Sequence, residues 1–292
     1  MTAPIRVQDV TRSFDGALAV DHLSFAVQPG SIYGFLGRNG AGKTTTLRML
    51  AGLIRPHSGE VRICGQDPFT MTAQDRQWLG YMSEKADAPS RLKVGSLIQL
   101  GRDLYPTWDD AWARDLLAKY SFSPHKRFST LSQGNQRLLS FILAIAPRPK
   151  VLLLDEPAAN LDVVARREIL DDILMLIRDC GCTVLFSTHI LSDVERVADE
   201  IGILARGRLQ VSESLDSLKD SIHQVRFFDF LNGLPTEEIP GAFRTVRDRT
   251  DIVTTLRTTP DATPETLAAR WQCKQETRSL NLEDIFVELS RN

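Results

Sequence analysis

The sequence predicts an α/β fold in which a large domain at residues 1–218 precedes a small α+β domain at residues 219–292. Residues 151–154 are four consecutive aliphatic residues, which is typical of a parallel strand covered on both faces. Residues 32–36 form a second apolar strand, which leads through a glycine-rich segment into a helical pattern. After residue 219 the composition shifts to short strand signals and two helices, which marks the second domain.

Composition and charge exclude several classes of protein. With 42% hydrophobic and 25% charged residues among 292, the chain has a globular composition, which excludes disordered and fibrous proteins. Its 35 basic and 37 acidic residues give a formal net charge of -2, so we expect no nucleic-acid partner. No apolar run approaches the ~20 residues that cross a bilayer, and residues 1–6 lack the apolar stretch of a signal peptide. If the protein acts at a membrane, we therefore expect another chain to span the bilayer.

Strand and helix patterns follow one another along the large domain. Residues 5–27 alternate apolar and polar positions as strands do, and a helix is predicted over residues 43–50, closed by Gly52 and Pro56. Further strands are predicted near residues 61–64, 79–82, 183–187, 201–204 and 209–211. Further helices are predicted near residues 72–77, within 94–145, around 169–177 and at 191–198. The dipeptide Arg206-Gly207 is a hairpin signal.

The small domain carries a weaker pattern of the same kind. Strands are predicted at residues 225–230, 243–246 and 252–256. A helix begins with Thr263 as its N-cap and Pro264 as its first residue. The chain ends in an amphipathic helix whose apolar stripe has the spacing i, i+3, i+4 and i+7 and consists of Leu282, Ile285, Phe286 and Leu289.

The glycine-rich segment carries the pattern G-x-x-x-x-G-K-[ST]. Its glycines let successive backbone N–H groups turn toward phosphate oxygens, and the following helix adds its positive end. Lys43 is expected to reach the β- and γ-phosphates, and Thr44 to bind Mg²⁺. A chance glycine-rich turn is disfavoured, because an apolar strand precedes the segment and a helix follows it. The predicted nucleotide-binding residues are Gly37, Arg38, Asn39, Gly40, Ala41, Gly42, Lys43, Thr44 and Thr45.

Two carboxylates end the aliphatic strand at residues 151–154. Asp155 is placed to hold Mg²⁺ through water beside a γ-phosphate. Glu156 is placed to polarise the attacking water, as a general base or an orienting group. The alternative is that the two acids merely cap the strand end or the next helix, which the upstream phosphate loop disfavours.

Three further motifs complete a resemblance to a known family. Residues 131–137 read Leu-Ser-Gln-Gly-Asn-Gln-Arg, residues 158–162 read Ala-Ala-Asn-Leu-Asp, and residues 187–189 read Ser-Thr-His. Together with the phosphate loop and the acidic strand, in this order, they resemble the motifs of ABC-type ATPases over residues 5–218. The resemblance implies a P-loop NTPase fold with a RecA-like core, an antiparallel β subdomain and a helical subdomain at about residues 85–147. It also implies ATP hydrolysis, with two ATP molecules between the chain and a second copy or a paired ATPase subunit.

By this resemblance, Phe14 matches the aromatic residue that stacks on adenine, although a Phe in a turn can also belong to the core. His189 matches the histidine that contacts the γ-phosphate, although a lone histidine at a strand end is more often structural. Asp162 matches the acidic residue of the loop that links the two sites at the dimer interface.

The signature segment departs from the usual Ser-Gly-Gly-Gln. Ser132, Gly134 and Asn135 match positions that close on the γ-phosphate held by the partner copy. Gln133 replaces a glycine, so the backbone there must either not need a positive φ or be strained.

A second departure lies after the strand at residues 79–82, where Glu84 stands in place of the glutamine that the family supplies to Mg²⁺ and water. A carboxylate binds Mg²⁺ at least as well, so this change is not expected to inactivate the site. The predicted metal ligands are therefore Thr44, Glu84 and Asp155.

The resemblance extends to a subclass of transport ATPases. A single nucleotide domain, no inserted coiled coil and no zinc-finger cysteines leave the detached ATPase subunit of a transporter. Residues 280–286 resemble the ending of ATPases paired with ABC-2 exporter permeases, and residues 105–109 resemble the YtrB-like ATPases. The first of these segments also fits simple domain packing. The expected location is peripheral, on the cytoplasmic face of the cell membrane.

An integral membrane permease would dock on residues 85–125. The residues expected at that surface are Arg91, Leu92, Leu104, Tyr105 and Trp108, which the sequence alone does not separate from core residues. The alternative function is a soluble ABC-type ATPase switch that regulates a cytosolic target.

Overall fold

The computed structural model describes residues 3–85 and 88–290, so residues 86 and 87 of the predicted helical subdomain lie outside the described residues. The chain divides into two compact units, Met1–Ser212 and Glu213–Asn292. The strands that begin in the first unit are β1 (Ile5–Phe14), β2 (Ala17–Val27), β3 (Ile32–Gly37), β4 (Ser58–Ile63), β5 (Leu79–Met82), β6 (Val151–Asp155), β7 (Thr183–Thr188), β8 (Glu200–Ala205) and β9 (Arg208–Ser214). Its helices are α1 (Lys43–Leu50), α2 (Val94–Leu104), α3 (Asp110–Lys119), α4 (Gln133–Ile145), α5 (Val163–Cys180) and α6 (Leu191–Val197).

A six-stranded sheet forms the centre of the first unit, in the order β5-β6-β7-β3-β8-β9. The neighbours from β5 to β8 are parallel. Every residue of β6 is buried, which confirms the prediction of a strand covered on both faces. Parallel strands end at the same edge, and the register pairs Asp155 with Ser187 and Leu36 with Thr188. The phosphate loop, the acidic strand end and the segment before His189 therefore meet at one edge of the sheet.

A smaller antiparallel sheet has the order β2-β1-β4, and its apolar face joins the core of the first unit. The Phe25 ring lies 5.3 Å from the Tyr33 ring and 5.4 Å from the Phe35 ring, measured between centroids. These aromatic contacts join β2 to β3 and fix the small sheet against the strand that leads into the phosphate loop.

The hairpin between β8 and β9 is as predicted, because Arg206 and Gly207 both have positive φ angles, 51° and 81°, as a tight type I′ turn requires.

The prediction of a helix near residues 72–77 is wrong. A single 3₁₀ turn, Asp75–Trp78, occupies this region. The Asp75 carboxylate accepts hydrogen bonds from the backbone N–H and the hydroxyl of Thr72, and these local bonds close one turn rather than start a longer helix.

The second unit contains α7 (Leu215–Ser221), β10 (Ile222–Phe228), β11 (Ala242–Arg247), β12 (Ile252–Arg257), α8 (Pro264–Trp271), β13 (Lys274–Ser279) and α9 (Leu282–Ser290). Its antiparallel sheet has the order β11-β12-β10-β13. The sequence places the domain boundary at residue 218, inside α7. The structural division falls earlier because α7, which the sequence pattern did not reveal, runs directly into β10 and contacts it.

The predicted helix start at Thr263 is confirmed, since its hydroxyl accepts the Thr266 N–H in a capping box. In the stripe of α9, Leu282, Ile285 and Leu289 are buried, so this helix packs its apolar face into the fold. Among residues 3–85 and 88–290, no helix combines the length and the apolar character that crossing a bilayer requires.

Candidate active site

The glycine-rich loop between β3 and α1 owes its shape to two glycines. Gly42 has a φ of 108°, and a Cβ there would lie 2.3 Å from the carbonyl oxygen of Ala19. A Cβ at Gly37 would lie 2.6 Å from the carbonyl oxygen of Leu204. The loop therefore closes tightly over the end of β3, and the N-terminus of α1, with its free N–H groups, lies at the rim of a cavity.

The cavity has a volume of about 910 Å³ and is lined by residues 38–45 on the phosphate-loop side. Three other predicted residues, Glu84, Glu156 and His189, line it from separate segments of the chain. The remaining lining residues, which the sequence motifs do not predict to contact a nucleotide in the same chain, are Ala19, Lys85, Gln133, Gln136, Arg137, Ala159 and Asn160. Most of them lie within the signature segment or the motif at residues 158–162. Their position in these motifs is the sequence signal that could have predicted their contact with the cavity.

Lys43 is buried at the first position of α1. Its Nζ donates a hydrogen bond of 2.7 Å to the carbonyl oxygen of Gly37 and lies 3.5 Å from Oε1 of Glu156. Both side chains of this ion pair are less than a tenth exposed. An ammonium group with so little exposure to solvent interacts strongly with an anion that enters the cavity.

Asp155 is fully buried beside the phosphate loop. Oγ of Ser187 donates a hydrogen bond of 2.6 Å to its Oδ1, whereas its Oδ2 is buried with no hydrogen-bond partner in the described part of the chain. Burial raises the pKa of this carboxyl group, while the hydrogen bonds from Ser187 and Thr44 act in the opposite direction. One carboxylate oxygen is thus free to bind a ligand that the described residues do not supply.

Glu156 stands between two other predicted residues. Its Oε1 faces Lys43, and its Oε2 lies 2.9 Å from Nδ1 of His189, whose side chain is half exposed. The φ of Glu156 is 53°, in the left-handed region that glycine favours. Its N–H donates to both the carbonyl oxygen and Oγ of Ser187, at 3.1 Å each, which helps to hold this strained conformation.

The signature segment forms the start of α4. Oγ of Ser132 accepts the backbone N–H of Asn135 as a helix cap, and a Cβ at Gly134 would lie 3.2 Å from a methyl group of Leu161. Gln133 is the first helical residue and has no positive φ, so its replacement of a glycine causes no backbone strain. Ser132, Gly134 and Asn135 do not line the cavity of their own chain. Their predicted role concerns an ATP held by another copy.

The remaining predicted site residues are Asp162, Phe14 and Glu84, and each has defined contacts. The Asp162 carboxylate caps α5 by accepting two backbone N–H groups at 2.9 Å each. Phe14 is 44% exposed and stacks with the guanidinium of Arg12, so it is not a core residue, although it does not line the cavity. Glu84 is exposed at the cavity, and its backbone carbonyl accepts a hydrogen bond from Arg137.

Comparison with known proteins identifies the family. The family model described as ABC transporter matches residues 20–159. The ABC transporter ATP-binding protein YtrB of Bacillus subtilis is 30% identical over 222 residues, which are 76% of each chain. The chain belongs to the family of ABC transporter ATP-binding proteins. It is therefore an ATP-binding and ATP-hydrolysing subunit, and the predicted resemblance to YtrB-like ATPases is confirmed.

Two further ABC ATPase relatives extend the comparison. The Nod factor export ATP-binding protein I of Burkholderia lata is 31% identical over 297 residues and covers 99% of this chain, with 97% of its own length matched. A solved structure of an ATP-binding subunit of an ABC transporter superimposes with a TM-score of 0.68 at 25% identity, over 74% of this chain and 92% of that one. The P-loop NTPase fold that the sequence predicted for this ABC ATPase is thus confirmed.

Proposed function

We propose that this chain binds MgATP in the cavity beside Lys43, hydrolyses it with Glu156, and thereby drives a separate membrane permease in export. The observation that carries the proposal is the position of the Glu156 carboxylate, which lies between Lys43 and His189 at the rim of the phosphate loop. A triphosphate bound along α1 would place its terminal phosphate beside this carboxylate, where the attacking water must also lie.

The residues present fit a magnesium ion. Oδ2 of Asp155 is buried with no hydrogen-bond partner among the described residues, and Thr44 and Glu84 line the cavity nearby. These are oxygen donors, which Mg²⁺ prefers. The described residues contain no cluster of three or more His, Cys, Asp or Glu that would hold a metal alone, so phosphate oxygens would complete the shell. When bound, the ion would neutralise charge that develops on the transferred phosphate.

Each catalytic residue then has one task. Lys43 exchanges its contact with Glu156 for the β- and γ-phosphates, which frees the carboxylate to accept a proton from water. His189 holds Oε2 of Glu156 through Nδ1 and keeps its half-exposed ring at the cavity, within reach of the γ-phosphate. The strained backbone of Glu156 fixes this geometry before ATP arrives.

A second copy would supply the signature residues. Ser132 and the first N–H groups of α4 would form an anion site that lies outside the cavity lining of their own chain. Val163 and Val164 follow Asp162 at the start of α5 and are 61% and 66% exposed. Two adjacent exposed aliphatic residues beside the predicted interface residue support burial against a partner ATPase subunit.

The permease is expected to dock on the outer face of α2. Leu100 and Leu104 are exposed on α2, with Leu104 at 60%, and Leu92 is exposed just before the helix begins. Trp108 was predicted as either a docking or a core residue, and the structure shows it half-buried against Gly101. The leucines rather than Trp108 are therefore the better docking candidates. Binding to a permease would hold the chain peripherally on the cytoplasmic face of the membrane, and the Nod factor export relative supports the export direction.

Leu104→Glu is expected to abolish co-purification of the tagged chain with a multispanning permease from membranes of its native host, because a charge replaces an exposed apolar contact. Its ATPase activity in isolation is expected to stay at the wild-type level, since α2 lies outside the cavity lining. Leu53→Glu is the matched control, as Leu53 is also 60% exposed but lies on a different segment. Recovery of the wild-type chain in the cytosolic fraction, with no membrane partner, would favour the soluble switch instead.

Glu84→Gln is expected to raise the Mg²⁺ concentration needed for half-maximal turnover, because an amide is a weaker ligand than a carboxylate. Loss of one negative charge near the triphosphate favours ATP binding, but turnover depends more on the ordered metal shell than on ground-state affinity. An ATPase titration against Mg²⁺ measures the shift. Glu60→Gln, at an exposed glutamate on β4, serves as the control. Superimposable curves for wild type and Glu84→Gln would remove Glu84 from the metal site.

A further inference from the structure

The buried side chain of Arg137 links three segments of the site. It projects from the second turn of α4, and only 6% of the residue is exposed. Its Nη1 donates to the carbonyl oxygen of Glu84, and its Nη2 donates to the carbonyl oxygens of Asp155 and Glu156. Because the guanidinium is planar and rigid, it fixes the segment after β5 relative to the end of β6.

Arg137 also completes the hold on the strained backbone of Glu156. On the N-terminal side, the N–H of Glu156 is bound by Ser187, and on the C-terminal side its carbonyl oxygen is bound by Arg137. The peptide groups on both sides of a residue with a φ of 53° are therefore fixed from different elements, β7 and α4. The direction of the Glu156 carboxylate toward His189 depends on both.

Packing alone does not explain a cation at this place. Arg137 donates to neutral backbone oxygens, and the nearby carboxylates of Glu156, Glu84 and Asp155 offset only part of the cost of burying its charge. An apolar side chain of similar length would fill the same space without that cost. What the guanidinium adds is two terminal nitrogens that reach two segments at once.

We propose, building on the proposed function, that Arg137 is a positioning residue for hydrolysis. It holds the backbone of Glu156 in the conformation that directs its carboxylate, and it transmits any displacement of the Glu84 segment to Glu156. The Glu84 segment is followed by the helical region on which the permease is proposed to dock. A movement imposed there thus reaches the hydrolytic residue through one side chain.

Arg137→Met keeps the length and the burial of the side chain but removes its donors. We expect kcat to fall by about 100-fold, which is the loss that a misplacement of ~1 Å near a reacting group produces. The Kd for ATP is expected to stay close to that of wild type, because Arg137 donates to backbone carbonyls rather than to the phosphate loop. A wild-type kcat, or a loss of kcat that only follows the folded fraction in thermal unfolding, would overturn the proposal.

Hydrogen exchange provides a readout that does not need ATP turnover. In Arg137→Met, amide exchange is expected to rise together in residues 79–85 and 155–159. Arg148→Met is the control, because Arg148 is a partly buried arginine that contacts Asp109 and the ring of Trp112 and does not line the cavity. It is expected to lower the thermal midpoint while leaving exchange in both segments and kcat unchanged. Unchanged exchange in Arg137→Met would overturn the link even if the chain did not hydrolyse ATP.

Arg137→Lys decides the matter if the methionine variant does not fold. Lysine keeps the charge but has one terminal nitrogen where arginine has two, so the variant is expected to fold and to recover only part of the lost kcat. Wild-type kcat with lysine would overturn the proposal. Failure of the proposed function has a different signature, in which wild type shows no ATP turnover or Glu156→Gln hydrolyses ATP normally.

Discussion

Glu156→Gln is expected to bind MgATP and to hydrolyse it about 10²–10⁴-fold more slowly than wild type, the range that a positioned general base contributes. The amide keeps the shape of the side chain but does not accept a proton from water. The hydrogen bond with His189 is retained, because an amide oxygen still accepts one. ATP affinity is expected to stay equal or to rise, since a negative charge next to the triphosphate is removed. Phosphate release and isothermal titration measure the two effects separately.

Glu200→Gln is the control for the glutamate variant. Glu200 is a partly buried carboxylate of the same six-stranded sheet, but it begins β8 and so lies at the edge opposite the phosphate loop. Burial raises the pKa of its carboxyl group, and it does not line the cavity. Turnover is expected to remain normal in this variant. If Glu156→Gln hydrolysed ATP at the normal rate, the general base would have to be a residue other than Glu156.

Lys43→Ala is expected to abolish detectable ATP turnover and to weaken ATP binding by roughly 30-fold or more, since loss of one partner of a buried charge pair costs about 2–5 kcal/mol. In the free protein the same change leaves Glu156 without its ion-pair partner and Gly37 without the hydrogen bond from Nζ. Equilibrium binding of a fluorescent ATP analogue, together with phosphate release, measures the losses.

Lys150→Ala removes the same charge at a distant position. The Nζ of Lys150 lies 4.1 Å from the centre of the Trp78 ring and lines no part of the cavity, so binding and turnover are expected to be unchanged. Near-normal ATP affinity and hydrolysis in Lys43→Ala would contradict the assignment of the phosphate loop.

Much of the site was predictable because short-range patterns specify it. The glycine pattern predicts a loop that curls around phosphate, and the buried aliphatic run before Asp155 predicts a central parallel strand. Once the strands are parallel, their ends meet at one edge, so Asp155 and His189 come to the loop without any further sequence signal.

Other features depend on contacts that sequence patterns do not encode. The role of Arg137 rests on hydrogen bonds to backbone carbonyls, and a backbone carbonyl has no residue identity in the sequence. β13 (Lys274–Ser279) is largely exposed and polar, without the alternation that marks a strand, and it is held by its pairing with β10. The side of Trp108 that packs on Gly101 becomes apparent only when the turn after α2 is folded.

The structure of Glu156→Gln bound to MgATP tests the central claim most directly. We expect a dimer of twice 32.7 kDa that holds two ATP molecules. Each triphosphate is expected to contact Lys43 and Thr44 of one copy and Ser132 of the other, with Mg²⁺ beside Asp155. A nucleotide bound outside the phosphate loop, or a saturated monomer whose Ser132 contacts no phosphate, would contradict the proposed two-copy mechanism.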